Sequence, residues 1–250
     1  MADINYSRDF PQHSLIQSAV LSIIPGVLVT GAFTILKAPL ESSGYPPLLA
    51  FLLAILLVDL PVMLGIMYYE GKKRNGDYSL DGIVLYREKV SWKTFILLFI
   101  AAFVVVFLLI MLAAPITGFL TQSVFSGLPN WFFLEEQSQY ESYSRNVLIV
   151  VFVFQLILTG IILPWVEELY FRGYLLPRIS RFRAWAPLIG GFFFGFYHIW
   201  QLYGFATVFL LGTALGYIVW WKRDIRLSIS LHIFANALAR LMFLMAAIAM

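Results

Sequence analysis

Long apolar stretches separated by short polar segments make up most of this chain. They cover residues 14–36, 48–69, 94–120, 146–176, 188–200, 205–221 and 227–250, the fifth being short. A helix crosses a bilayer in roughly 20 residues, so the pattern predicts about seven transmembrane spans. Pro25-Gly26 predicts a kink in the first span, because neighbouring helices can satisfy the freed backbone groups. We therefore expect an all-α, polytopic transmembrane helical bundle.

The placement of lysine and arginine predicts the orientation of these spans. The basic segments follow the second, fourth and sixth spans, whereas the other connections carry almost no lysine or arginine. By the positive-inside rule the basic segments are cytoplasmic, so seven spans place the N-terminus in the cytoplasm and the C-terminus outside it. His13, ahead of the first span, is expected at the surface. The segment 121–145, with Trp131, Glu135 and Glu136, could include an interfacial helix.

Composition narrows the class of protein. Hydrophobic residues make up 61% of the chain and charged residues 12%, which excludes an ordinary soluble fold and indicates an integral membrane protein. The absence of cysteine excludes disulfides, thiolate nucleophiles and cysteine-based metal sites. No cleavable signal peptide is expected, because the first apolar stretch is too long. No basic patch interleaves with aromatic residues, so we expect no nucleic-acid partner.

A few polar side chains fall inside the apolar stretches, where each is costly and marks a functional site by default. They are Asp59, Glu167, Glu168, Arg172, His198, His232, Asn236 and Arg240. Glu168 and Arg172 lie four residues apart and could form an ion pair, while Glu167 points about 100° away from Glu168. His232 and Asn236 share one face of the seventh span. Together they suit hydrolysis, with a carboxylate base for water and His and Asn donors for an oxyanion.

Several of these residues could instead have a purely structural role. The glutamates could be neutralised in a helix-packing network, and His198 alone could be a hydrogen-bonded core histidine. Asp59 is expected to bond to the stripe formed by His232, Asn236 and Arg240, or else to be protonated against a backbone carbonyl. The helix rise places the glutamates and histidines on the order of 10–20 Å from their basic ends, which predicts a cavity open to the cytoplasmic side. Gly191/Gly195 and Gly212/Gly216 predict close helix packing.

Three motifs in the second half of the chain resemble a known family. Residues 167–172 match E-E-x-x-x-R, residues 194–198 match F-x-x-x-H, and residues 232–236 match H-x-x-x-N. In this order on successive helices they look like the CAAX protease and bacteriocin-processing (CPBP, or Abi) intramembrane endopeptidases. The resemblance covers residues 146–246. It divides the chain into N-terminal helices and loops, 1–145, and a catalytic helical core, 146–250.

The resemblance implies a role for each motif residue. Glu167 with His198 would activate the water that attacks a peptide carbonyl, and His232 and Asn236 would hold the oxyanion. Glu168 and Arg172 would brace the first of these helices. The family is often labelled a metalloprotease, and zinc ligation by His198, His232 and a glutamate is chemically possible. We favour a metal-free, glutamate-dependent reaction with no cofactor, because Asn236 suits oxyanion donation and is a poor zinc ligand.

We therefore expect an intramembrane endopeptidase that cuts a peptide or protein substrate, in contact with membrane lipid. The family includes enzymes that trim prenylated C-termini, so the substrate could be lipidated. The short chain resembles bacterial members, which suggests the bacterial cytoplasmic membrane. The rival hypothesis is a non-catalytic immunity or scaffold protein that binds a peptide in the same cavity. A small-solute transporter is disfavoured, because the sequence has no matching halves.

Overall fold

Seven helices of twelve residues or more form a bundle in the part of the chain that the structure describes. The computed structural model describes residues 10–129, 132–134 and 140–249. The helices are α1 (Leu15–Ser42), α2 (Pro47–Asn75), α3 (Trp92–Val124), α4 (Arg145–Arg178), α5 (Ala186–Tyr197), α6 (Phe205–Lys222) and α7 (Ile225–Ala249). 3₁₀ segments, Ser180–Trp185 and Ile199–Gly204, flank α5. The predicted all-α, polytopic helical bundle is confirmed.

Six of these helices are long and apolar enough to cross a membrane, counting the sixth with the 3₁₀ segment before it as Ile199–Lys222. The exception is α5, whose 12 residues extend only about 18 Å. That length is well below a hydrocarbon core of roughly 30 Å. The predicted fifth span, 188–200, is therefore a short helix that ends inside the bundle.

One end of the bundle collects all three basic segments, and we call it the basic face (residues 76–91, 178–185 and 222–224). Loop 76–91 is joined to its neighbours by backbone hydrogen bonds. The Leu85 amide donates to the Gly173 carbonyl at 2.9 Å, and the Glu88 amide donates to the Arg223 carbonyl at 2.9 Å. The buried Arg178 guanidinium donates to the Ile83 carbonyl at 3.1 Å. The three segments that the positive-inside rule groups together are thus neighbours in space.

The two ends of the described chain lie at opposite ends of the bundle. The His13 amide donates to the Arg178 carbonyl at 2.8 Å, so the chain begins at the basic face. At the other end of α7, the Ile248 carbonyl accepts from the side chain of Arg145, the first residue of α4. We call this end the opposite face. Seven passes, an odd number, connect the two faces when the short α5 is counted as a partial pass.

His13 corrects one expectation about the N-terminal segment. Instead of lying at the surface, its side chain is buried, with the ring edge-on to Tyr174 at 5.9 Å between centroids. Burial and the nearby Arg178 charge lower the pKa of His13 to about 4. The segment ahead of α1 is therefore docked onto the end of α4.

Glycines allow the close packing that the sequence predicts between α5 and α6. A methyl group placed on Gly191 would lie 2.7 Å from the backbone nitrogen of Thr213, closer than real side chains approach. Gly26 of α1 is tighter still, because a methyl there would lie 1.9 Å from the carbonyl oxygen of Tyr197. Gly26 thus lets the backbone of α1 touch the C-terminal end of α5. α1 itself continues through the predicted kink at Pro25-Gly26 to Ser42.

The stretch between α3 and α4 is described only in part. The interfacial helix predicted within 121–145 falls partly on residues 130–131 and 135–139, which lie outside the described residues, as do Trp131, Glu135 and Glu136. In the described part, residues 121–124 continue α3, and the hydroxyl of Tyr140 donates to the Leu134 carbonyl at 2.5 Å.

Candidate active site

Helix α4 carries the glutamates, with a wide π-helical turn on either side of Glu167 and with Glu168 as the first residue of the second turn. The turns are Leu158–Ile162 and Glu168–Leu175, and each contains the residue four positions before a proline, Pro164 or Pro177. A proline cannot bond the carbonyl four residues back and clashes with it, so a wider turn relieves the conflict. The Gly173 carbonyl, freed in this way by Pro177, accepts the hydrogen bond from the Leu85 amide described above.

Glu167 lies between two histidine rings from different helices. Its Oε1 atom is 3.8 Å from Nε2 of His198, and its Oε2 atom is 3.7 Å from Nε2 of His232. The Glu167 side chain is only 2% exposed, and Oε1 has no hydrogen-bond partner among the described residues. Both separations exceed a direct hydrogen bond and are short enough for one small molecule or atom to contact both groups.

Glu168 and Arg172 form the ion pair that their spacing predicts, and the pair extends to a third residue. Oε1 of Glu168 accepts hydrogen bonds from Arg172 at 2.9 Å and from Nδ1 of His232 at 2.8 Å. Arg172 also donates to the Gly212 carbonyl at 3.0 Å and lies 4.3 Å above the ring centroid of Phe194. Glu168 therefore bonds to His232 as well as to Arg172, and the contact with His232 is one that the sequence analysis missed.

The two histidines are held in defined orientations. Nδ1 of His198 lies 2.8 Å from the Phe194 carbonyl, which requires a hydrogen on Nδ1 and leaves Nε2 directed towards Glu167. Nδ1 of His232 likewise faces an acceptor, Glu168, and its Nε2 faces Glu167. One turn along α7, the Asn236 amide donates one hydrogen to the Thr159 carbonyl at 3.3 Å. The structure thus brings all six predicted site residues into one cluster.

A cavity of about 380 Å³ reaches this cluster, and Glu167, His198, His232 and Asn236 all line it. This agrees with the expected geometry, in which the four side chains share one polar cavity.

The direction of the cavity differs from the expectation. Its further lining includes Gln155, which lies twelve residues or about 18 Å along α4 from Glu167 towards the opposite face. Tyr203 and Arg240 line it on that side as well. Among the described residues, no lining side chain comes from 168–178 or 225–231, the segments that lead to the basic face. The predicted opening on the side of the basic segments is therefore wrong, because the packed ends of α4 and α7 occupy that side.

Asp59 also differs from its expected partner. It is fully buried in α2, where its Oδ2 accepts a hydrogen bond from the Tyr197 hydroxyl at 2.5 Å instead of bonding to His232, Asn236 or Arg240. Tyr197 is the neighbour of His198, yet the sequence analysis gave it no role. Because residues 59 and 197 lie in different helices, no spacing rule could have paired them.

The side chains do not match a metal site in the described part of the chain. No group of three or more His, Cys, Asp or Glu residues there is arranged to hold a metal ion. Asn236, which lines the same cavity, is not among the usual zinc ligands, which are cysteine, histidine and carboxylate side chains. We therefore derive no step through a metal.

Comparisons with known proteins give a family for the segment that contains the site. A family model described as type II CAAX prenyl endopeptidase Rce1-like matches residues 149–238. This segment contains all three motifs, so the match confirms the family recognised from them. The family and the six apolar helices support a protease that is an integral membrane protein. The comparison with curated proteins gave no match, and the comparison with solved structures gave none.

Proposed function

From the match of residues 149–238 to the type II CAAX prenyl endopeptidase family, we propose that this chain hydrolyses a peptide bond of a membrane-associated or peptide substrate, with Glu167 as general base. The observation that carries the proposal is the position of Glu167. Its carboxylate lies at the inner end of a cavity between two histidine nitrogens, at 3.8 and 3.7 Å. A buried carboxylate with unfilled hydrogen-bonding capacity suits the activation of water.

The first step activates the water. A water molecule between Glu167 and His198 donates one hydrogen to Oε1 and the other to Nε2, which is unprotonated because Nδ1 carries the hydrogen given to Phe194. Glu167 takes a proton as the water oxygen bonds to the carbonyl carbon of the substrate. The π electrons of that carbonyl move to its oxygen, and a tetrahedral oxyanion forms.

His232 and Asn236 hold the oxyanion. Asn236 gives one amide hydrogen to Thr159 and has a second for the substrate oxygen. His232 gives its Nδ1 hydrogen to Glu168, so a hydrogen on Nε2 is available when the ring is positively charged. The Glu168 carboxylate compensates that charge. When the intermediate collapses, the C–N bond breaks and the proton on Glu167 passes to the leaving nitrogen, which restores the carboxylate.

The direction of the cavity supports access from the face away from the basic segments. Glu167 lies eleven residues before Arg178, so it is about 16 Å deep from the basic face. If the positive-inside rule holds for this chain, the basic face is cytoplasmic and the substrate reaches Glu167 from the non-cytoplasmic side. The N-terminus then lies in the cytoplasm and the C-terminus outside it.

The reaction proposed here needs no metal, because Glu167 supplies the base and His232 with Asn236 supply the electrostatic stabilisation. We expect purified protein to keep its activity after dialysis against a strong chelator. Loss of activity with the chelator and its return with zinc would contradict the metal-free route.

The function is tested with Glu167→Gln, which keeps the side chain's size and removes the base. Cells that express the wild type, Glu167→Gln or the control Glu41→Gln are compared by mass spectrometry of protein termini. We expect a precursor to accumulate only with Glu167→Gln, because loss of a general base typically slows a reaction by about 10²–10⁴-fold. Glu41 pairs with Lys37 near the C-terminal end of α1, and its substitution should leave the protein termini unchanged. Identical termini in all three strains would favour the peptide-binding alternative.

A further inference from the structure

Asp59 is a buried acid that the proposed reaction does not use. It is 0% exposed, and its Oδ1 atom has no hydrogen-bond partner in the described part of the chain. It ends the π-helical turn Ile55–Asp59 of α2, which contains the residue four positions before Pro61. A carboxyl group at membrane depth is costly, so its presence calls for a specific role.

The hydroxyl of Tyr197 connects this acid to the candidate base. It donates its single hydrogen to Oδ2 of Asp59, and the same hydroxyl interacts with the carboxyl group of Glu167. Tyr197 is fully buried at the end of α5, and its ring contacts the ring of His198 at 4.7 Å between centroids. One tyrosine therefore contacts His198 and interacts with Glu167, the two groups that would activate the water.

Neither Asp59 nor Tyr197 lines the cavity, so neither would touch the substrate. The hydroxyl has one hydrogen, and Asp59 receives it. Towards Glu167 the hydroxyl therefore presents a lone pair, which can accept a hydrogen bond once Glu167 has taken the proton from water. This arrangement fixes the direction of the hydrogen bond and the position of the Glu167 side chain during the reaction.

We propose that Asp59 and Tyr197 are positioning residues, in which Asp59 orients the Tyr197 hydroxyl and that hydroxyl holds Glu167 in place. The inference rests on the proposed endopeptidase function. It assigns to α2, which lies outside the segment matched by the family model, a part in the reaction.

The test measures kcat and KM on a quenched fluorescent peptide that spans the cleavage site found with Glu167→Gln. Tyr197→Phe and Asp59→Leu should each lower kcat about tenfold or more and leave KM unchanged, because the substrate does not contact either residue. Asp59→Asn keeps an acceptor oxygen for Tyr197 and should retain more kcat than Asp59→Leu. In a Tyr197→Phe background, Asp59→Asn should have no further effect, because Asp59 acts through Tyr197.

Tyr170→Phe is the matched control. It also removes a buried tyrosine hydroxyl, one that bonds to the Leu21 carbonyl at 2.8 Å and does not line the cavity, and it should lower thermal stability without changing kcat. Wild-type kcat in Tyr197→Phe would overturn the inference, as would an equal loss of kcat in Tyr170→Phe. If Tyr197→Phe does not fold, a wild-type kcat in both Asp59 variants would overturn it. A failure of the proposed function would differ, because the protein termini of the Glu167→Gln strain would then match those of the wild type and no cleavage site would be found.

Discussion

The ion pair beneath the candidate base allows a quantitative prediction for Glu168→Gln. Oε1 of Glu168 accepts from Arg172 at 2.9 Å and from His232 at 2.8 Å, and the Glu168 and Arg172 side chains are 0% and 3% exposed. Glutamine keeps the shape but removes the negative charge, so Arg172 stays buried without compensation. Breaking a buried pair from one side costs about 3–5 kcal/mol. Arg172 keeps its bond to Gly212 and its contact with Phe194, so we expect about 3 kcal/mol.

This loss is measurable as a change in apparent melting temperature. For a chain of this size, 1 kcal/mol corresponds to roughly 2–4 °C, so Glu168→Gln should melt about 6–12 °C below the wild type. The assay is tryptophan fluorescence of purified protein during heating in one detergent. Glu41→Gln is the matched control, because its pair with Lys37 is more exposed and should contribute at most about 1 kcal/mol.

A second variant separates the ion pair from other effects of the substitution. Arg172→Met alone leaves the Glu168 charge without its arginine, whereas Glu168→Gln with Arg172→Met leaves neither charge of the pair. The double variant should therefore lose clearly less stability than the sum of the single variants. Strict additivity, or a wild-type melting temperature for Glu168→Gln, would refute the idea that a charged pair supports this helix.

Two further predictions concern the faces of the bundle. Because the chain has no cysteine, a membrane-impermeant maleimide added to intact cells should label Gln201→Cys in the cavity but not Asp77→Cys on the basic face, and the reverse pattern would place the cavity's opening in the cytoplasm. His13 has a pKa lowered from 6.5 to about 4 by burial and by Arg178, so it stays neutral in the folded state where the unfolded chain would take a proton. Its stabilising effect is thus complete above pH 6.5 and is lost as pH falls towards 4. The melting temperature of the wild type should therefore fall more between pH 7.5 and 4.5 than that of His13→Asn, and equal shifts would contradict this account.

The sequence predicted the parts of the site that depend on spacing within one helix. The fourth span was expected at 146–176 and is Arg145–Arg178, and the pairing of Glu168 with Arg172 follows from their four-residue separation. The clustering of the three motifs was predicted from their resemblance to a family. Their roles in the reaction remain predictions.

Contacts between distant helices could not be predicted in the same way. The bond from Glu168 to His232 and the bond from Tyr197 to Asp59 join residues 64 and 138 positions apart. Helical periodicity tells which residues share a face, but it does not tell which faces meet. The predicted direction of the cavity was wrong for a related reason. The position of Glu167 along its helix gives its depth, but it does not show at which end of the bundle the helices pack closely.

Proline explains why the buried acids lie beside irregular helix. Asp59 ends one π-helical turn and Glu167 lies between two others, and each turn contains the residue four positions before a proline. In a membrane, a regular helix satisfies its own backbone and has few polar groups to offer a partner. The wide turns change this, because the Thr159 carbonyl in one of them accepts from Asn236, and the Gly173 carbonyl in another accepts from the loop of the basic face. The prolines therefore leave backbone carbonyls available as hydrogen-bond acceptors. One of these carbonyls holds Asn236, the candidate oxyanion donor, and another binds the loop that covers the basic side of the site.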